Sequence, residues 1–188
     1  MPITGTGNYV EDFQVGDVYE HVRGRTVTNM DNYLVTHMTM NTAQAHFNLP
    51  YAKQMMGGHF AERLVVGPYT IAIVLGLTSE DMSENAFMDL GLTAIRLPNP
   101  GFAGDTLHAR SEVLEVRPSD RPDAGIVRYK FTGFKDGNVV VAEGERTISV
   151  KLYFDSPDLS GLLPEDRSLP FSVELSRQLR TVVEELVR

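Results

Sequence analysis

The nine residues from Tyr69 to Leu77, YTIAIVLGL, carry no charge on any side, and Gly67-Pro68 leads into them. Proline suits the first turn of a helix, because its missing N–H and fixed φ cost nothing there. A helix that is apolar all round has no face to give to water, so it belongs in an interior. The five-residue core Ile71 to Leu75 also suits a buried strand, but the Gly-Pro start and the length of the run favour a helix. The rest of the chain must therefore supply a wrapping.

That wrapping is written downstream as alternation. Phe87 to Leu97 reads as one strand. Thr106 to Val116 places Leu107, Ala109, Ser111 and Val113 on one face, with His108, Arg110 and Glu112 opposite. In Ile126 to Phe134, Val127, Tyr129 and Phe131 share a face against Arg128, Lys130 and Thr132. Asp136-Gly137 is a hairpin turn. It leads to Val139 to Leu152, where Val140, Ala142, Ile148, Val150 and Leu152 align; this long strand is also a candidate sheet edge.

Upstream, Gly16-Asp17 reads as a turn and Val18 to Val27 as a strand. Thr28 and Asp31 have the spacing of a capping box. Met30, Tyr33, Leu34, His37 and Met38 form the stripe of an amphipathic helix, and Asn41 extends that stripe where the helix ends. Asn tolerates the left-handed conformation, so Asn41 also reads as a helix C-terminal residue. Residues 42 to 63 read as irregular or short-helical, with Gly57-Gly58 a flexible point. Near the C-terminus a Pro- and Asp-rich stretch precedes a helix from Ser172 to Val187, its apolar stripe Val173, Leu175, Leu179, Val182, Val183 and Leu186 placed for packing.

One strand, a helical region holding the apolar helix, and about four antiparallel strands make an α+β chain. An antiparallel sheet wrapped around a buried central helix is the hot-dog arrangement, and another α+β sandwich is the alternative. The expected division is a single domain over 1–154 and a C-terminal extension over 155–188.

Composition narrows the function. The chain has 188 residues and no cysteine, so disulfides, thiolate nucleophiles and cysteine-bound metals are excluded together. The net charge of −8, with Lys and Arg scattered, argues against a nucleic-acid partner. No apolar run is long enough to span a bilayer. The first residues lack the apolar segment of a signal peptide, so a soluble cytoplasmic protein is expected. There is no P-loop, HExxH, G-x-S-x-G or dinucleotide fingerprint, which leaves acid–base work by His, Asp, Glu or Tyr.

The stretch Thr39-Met40-Asn41-Thr42-Ala43-Gln44-Ala45-His46 resembles the MaoC-like family of (R)-specific enoyl-CoA hydratases and 3-hydroxyacyl dehydratases. The family's usual site reads Asp-x-Asn-Pro-x-His. Here Asn41 stands at the Asp, Ala43 at the Asn, Gln44 at the Pro and His46 at the His; the spacing survives and only the His is identical. Arg63 to Gly67 is similar to the family's approach to its central helix, with Val66 where a His often precedes the Gly. Gly104-Asp105-Thr106-Leu107 matches the family's GDTL strand start. The resemblance covers about residues 10 to 152. The pattern from Gly24 to His46, GRTVT…DN…TMNT…H, looks most like the branch acting on branched C4–C5 dicarboxylic thioesters, such as mesaconyl-CoA hydratase or β-methylmalyl-CoA dehydratase.

The resemblance implies a hydro-lyase on a CoA or acyl-carrier-protein thioester, with the thioester as substrate, no cofactor and no metal. It also implies a homodimer or higher oligomer, with sheets side by side and CoA at the interface. The chemistry requires a group that exchanges protons near neutrality and donors for the developing enolate oxygen. His46 is the candidate acid–base residue. Asn41 cannot take a proton, so it can only orient water or the imidazole. The Gly67 N–H, at the positive end of the helix, is the candidate donor to the thioester oxygen. Val66, Tyr69 and His59 are candidate substrate contacts, Tyr69 lining the acyl pocket and His59 on a loop over it. His37 reads as a packed core or pocket histidine, and His21 and His108 as exposed. A hot-dog thioesterase and a non-catalytic acyl-binding or partner subunit are the competing functions. The first is disfavoured because residues 66 to 78 hold no acid, although Glu62 is close.

Overall fold

A computed structural model describes residues 7–121, 123–153 and 173–186. The apolar segment forms α3, Gly67–Met82. It lies against a six-stranded antiparallel sheet made of β1 (Val18–Glu20), β2 (Arg25–Thr26), β3 (Ala86–Arg96), β4 (Thr106–Pro118), β5 (Ala124–Lys135) and β6 (Val139–Lys151). The order is β1-β4-β5-β6-β3, with β2 also paired to β4. Before α3 come α1 (Asn29–Met38) and α2 (Leu49–Gln54), and α4 (Val173–Leu186) closes the described chain. The sheet curls around the central helix, as in the hot-dog fold.

The alternation found in the sequence is the alternation of burial. Leu107, Ala109, Ser111 and Val113 of β4 are all at most 1% exposed, and Val127, Tyr129 and Phe131 of β5 are fully buried. In β6 the phase slips. A register shift at Gly133/Phe134 of β5 sits opposite Val140 to Ala142, so Val141 and Ala142 are both buried and Val140 is only half-buried.

Four expectations are corrected. First, β6 is interior, paired with β5 on one side and β3 on the other; the edge on that side is β3. Second, α3 is buried toward the sheet through Thr70, Ile73, Val74, Thr78 and Met82, but Pro68, Ala72 and Gly76 stay exposed. Third, the apolar stripe of α1 points outward, with Met30 63%, Leu34 53% and Met38 80% exposed. The inward face is Asn32 and Thr36 instead, because it packs on loop backbone that needs hydrogen-bonding partners. His37 is accordingly exposed; it stacks on Tyr33 and meets Phe47 at a tilt.

The fourth correction concerns the first strand, which divides into β1 and β2; His21, just past β1, keeps its N–H on Ala109 O at 3.1 Å and turns its side chain to the interior. Its Nδ1 lies 2.7 Å from Asp81 Oδ2 at the end of α3, and its Nε2 lies 2.9 Å from Ser111 Oγ on β4. His21 is 6% exposed rather than facing water. His108 is half-buried and stacks on Phe134.

The expected boundary near 154 falls outside the described residues, as do residues 154–172. The final helix docks by its cations: Arg177 donates to the Glu11 and Phe13 carbonyls at 3.1 Å each, and Arg180 pairs with Asp12 and covers the Tyr153 ring. Leu179 and Val182 of its stripe are 38% and 51% exposed, and the side chains of Val173, Leu175 and Leu186 lie outside the described residues.

Candidate active site

The site grows from the capping box. Thr28 Oγ1 accepts from the Asp31 N–H at 3.2 Å, and Asp31 Oδ2 accepts from the Thr28 N–H at 2.8 Å. Burial opposes ionisation of Asp31, but the Thr28 N–H and hydroxyl, with Arg25, together hold its carboxyl below the usual range. This cap starts α1 in the phase that turns Asn32 inward.

At the other end of α1, the residue in the left-handed conformation is Met40, with φ 53°, and not Asn41. The Asn41 N–H then returns to the Thr36 carbonyl at 2.9 Å, and Asn41 Oδ1 accepts from the Ala43 N–H at 2.9 Å. This Asx turn commits the amide oxygen of Asn41 and leaves its NH2 group to act as a donor. A short 3-10 turn, Gln44–His46, follows at once.

His46 is half-buried, and its Nδ1 lies 2.9 Å from the Leu64 carbonyl oxygen. A carbonyl can only accept, so Nδ1 carries the hydrogen in the neutral ring. Nε2 is left with the lone pair, as a proton acceptor. The strand-like run after Arg63 supplies that carbonyl and is itself pinned: Leu64 N–H donates to Ala45 O at 3.1 Å, and Val65 N–H to Gly101 O at 2.9 Å.

The same run delivers the start of α3. Val66 is 3% exposed, and its N–H goes to Asn32 Oδ1 at 3.0 Å, so it offers no donor to a ligand. The Tyr69 and Thr70 N–H groups both return to Val66 O, at 3.0 and 3.1 Å. Pro68 has no N–H. The Gly67 N–H is therefore the donor of this first turn without an acceptor among the described residues. A Cβ on Gly67 would lie 2.6 Å from Leu97 Cδ1, so a larger residue there would displace the tip of the Leu97 side chain.

Tyr69 is half-buried beside Arg25 and Asp31; burial is the main cause that pushes its phenol up, with Asp31 adding and Arg25 opposing. It stays a neutral hydroxyl at working pH. His59 is exposed, directly after the positive-φ sequence Met56, Gly57 and Gly58. The structure thus joins His46, Gly67 and Val66 through one stretch of backbone, places Asn41 at the start of the turn that carries His46, and leaves His59 on the surface loop.

Sequence reasoning missed Asn32. It is 3% exposed, and its Nδ2 donates to the His46 carbonyl at 2.9 Å and the Leu64 carbonyl at 3.0 Å. The available signal was Asn32 and Thr36, a polar pair one turn apart opposite the apolar stripe. Also missed was the line Ser111–His21–Asp81, whose bonding order is that of a hydrolytic triad. Ser111 is fully buried beneath the sheet, so no acyl group reaches it, and the three residues brace β4, the β1 end and α3. Among the described residues no three His, Asp or Glu side chains gather into a group that could hold a metal ion, and no helix is long and apolar enough to cross a membrane.

A family model described as mesaconyl-CoA hydratase matches residues 3–151. The chain is 34% identical over 131 residues to the β-methylmalyl-CoA dehydratase of Chloroflexus aurantiacus, which covers 69% of this chain and 36% of that protein. It is 35% identical over 137 residues to the mesaconyl-CoA hydratase of Cereibacter sphaeroides, covering 73% and 38%. Among solved structures, a MaoC domain protein dehydratase from Chloroflexus aurantiacus superposes with TM-score 0.70 at 29% identity, over 77% of this chain and 44% of that one. The matched region thus spans little more than a third of these curated relatives.

Proposed function

Because the chain belongs to the mesaconyl-CoA hydratase family, we propose that it adds water reversibly across the α,β double bond of an acyl-CoA thioester. The names of the relatives favour a short branched dicarboxylic acyl group. The observation that carries the proposal is the anchored imidazole: His46 Nδ1 is held by Leu64 O, and Nε2 is left as the proton acceptor. In the hydration direction Nε2 takes a proton from water as its oxygen bonds Cβ. The electron pair of the double bond moves toward the thioester, where the Gly67 N–H and the α3 N-terminus meet the developing negative charge. The imidazolium then returns its proton to Cα, which restores the neutral ring. With an amide at position 41, His46 serves as both base and acid, and Asn41 donates a hydrogen bond through its NH2 group.

Hydrolysis of the thioester finds less support. The first turn of α3 holds no acidic side chain, and Glu62 is exposed. The deciding experiment incubates the purified protein with mesaconyl-, crotonyl- and 3-hydroxyacyl-CoA and follows enoyl absorbance and free thiol. Loss of absorbance without thiol is expected. Release of thiol points to hydrolysis, and silence on the whole panel points to a non-catalytic subunit.

The working unit is proposed to be a dimer of hot-dog units joined through β3. This edge strand and the residue just beyond it expose Met88, Leu90, Leu92, Ile95 and Leu97, each between 40% and 53%. An open edge with such a surface is an association site. The relatives, more than twice the matched length, are consistent with a second unit beside the first. Sedimentation should give twice the chain mass, and Leu90→Lys with Leu92→Lys should return it to one. A wild-type chain that sediments as a monomer at assay concentration removes the idea.

A further inference from the structure

We propose that Asn32 is a positioning residue: one buried carboxamide that fixes the catalytic imidazole and the thioester-oxygen donor relative to each other. This rests on the hydratase reading of the site. Asn32 touches neither group directly. Its Nδ2 donates to the backbone carbonyl of His46 at 2.9 Å and to the Leu64 carbonyl, the acceptor for His46 Nδ1, at 3.0 Å. Its Oδ1 accepts from the Val66 N–H at 3.0 Å, at the peptide that precedes Gly67. The orientation of the amide follows from its neighbours, since two carbonyls need a donor and an N–H needs an acceptor.

Both N–H bonds and the oxygen of Asn32 are used, in a place 3% exposed. Two segments that are distant in sequence, the His46 turn and the Leu64-to-Val66 run that leads into α3, are thereby held by a single side chain. A planar amide has no soft torsion between its two ends, so His46 and Gly67 move together or not at all. Misplacement of about 1 Å at a reacting group costs about a hundredfold in rate, which gives such a clamp a catalytic consequence.

Asn32→Asp separates the two halves of the clamp. A carboxylate still accepts from the Val66 N–H, but it offers no hydrogen to the two carbonyls and repels them. The 188-residue chain with 15N-labelled histidine, the His46 signal assigned with His46→Gln, reads the ring directly. The wild type is expected to show a single neutral tautomer with the hydrogen on Nδ1. In Asn32→Asp and Asn32→Ala both tautomers should appear, with kcat down about tenfold or more and KM changed much less. Asn32→Ser, which retains one small donor, should fall between, and it decides the matter should the other two fail to fold by circular dichroism. Folded variants that keep the wild-type His46 spectrum overturn the proposal, however much their melting temperatures fall. Should the wild type lack hydratase activity altogether, the functional reading fails while the spectra still judge the clamp.

Discussion

His46→Ala is expected to lower kcat/KM for hydration by about a hundred- to ten-thousandfold, the range that one positioned acid–base group supplies. The effect should lie in kcat, because the imidazole acts on water and Cα while binding the thioester little. Asn41→Ala should cost far less, about tenfold, the worth of one hydrogen-bond donor at about 1.4 kcal/mol. The inequality follows from the geometry. Nδ1 of His46 is committed to the Leu64 carbonyl and Nε2 is open, whereas the amide oxygen of Asn41 is already taken by the Ala43 N–H. His46→Gln tests the same point with the bulk retained: a glutamine amide can donate to Leu64 O but cannot exchange a proton, so it should be nearly as impaired as alanine. Steady-state rates from enoyl absorbance decide. If His46→Ala retains more than about a tenth of the wild-type rate, His46 is not the acid–base group. If Asn41→Ala falls as far as His46→Ala, the two act as one unit and the one-base scheme is wrong.

Much of the fold was written in the chain because burial has a period. The alternation in β4 and β5 survived intact, and the capping box of Thr28 and Asp31 marked the start of α1 to the residue. What periodicity cannot report is which face of an element meets polar surroundings. The stripe of α1 led by Met30 and Leu34 looked like a core face. The true inner face, Asn32 and Thr36, is polar because it packs on irregular backbone whose N–H and C=O groups have no ladder partners. For the same reason His46 was legible and its anchor was not: the pattern around position 46 names a side chain, while the Leu64 carbonyl that sets its tautomer carries no residue signature. The polar neighbours of His21 in sequence argue for exposure, yet its partners Asp81 and Ser111 lie 60 and 90 residues away. Contacts of that separation are decided by topology, which the sequence states only indirectly.

Gly133→Ala should destabilise the fold by about 3 kcal/mol, the upper part of the usual range for overpacking a filled core. Gly133 lies on β5, where its cross-strand neighbours are Ala109 on β4 and Ala142 on β6. Three small residues in a row make a trough across the middle of the sheet, and α3 settles into it through Val74, which is fully buried. A Cβ on Gly133 would lie 2.1 Å from Val74 Cγ2 and 2.9 Å from Cγ1. Val74 has little room to rotate, since a β-branched side chain in a helix is held near one rotamer. The helix must then lift from the sheet, and dispersion contacts along its length weaken together. At about 2–4 °C per kcal/mol for a chain of this size, the melting temperature should fall by about 6–12 °C. Val74→Ala removes both clashing methyl groups. The double variant should therefore be more stable than the sum of the single losses predicts, by at least about 1 kcal/mol, and strict additivity would falsify the trough. Gly76→Ala is the contrast. Nothing lies within 4 Å of its Cβ position, so the monomer should gain about 0.5–1 kcal/mol from the better helix former. Opposite signs for Gly76 on α3 and Gly133 on the facing strand would show that α3 is held by shape against β5 and not by apolar character alone.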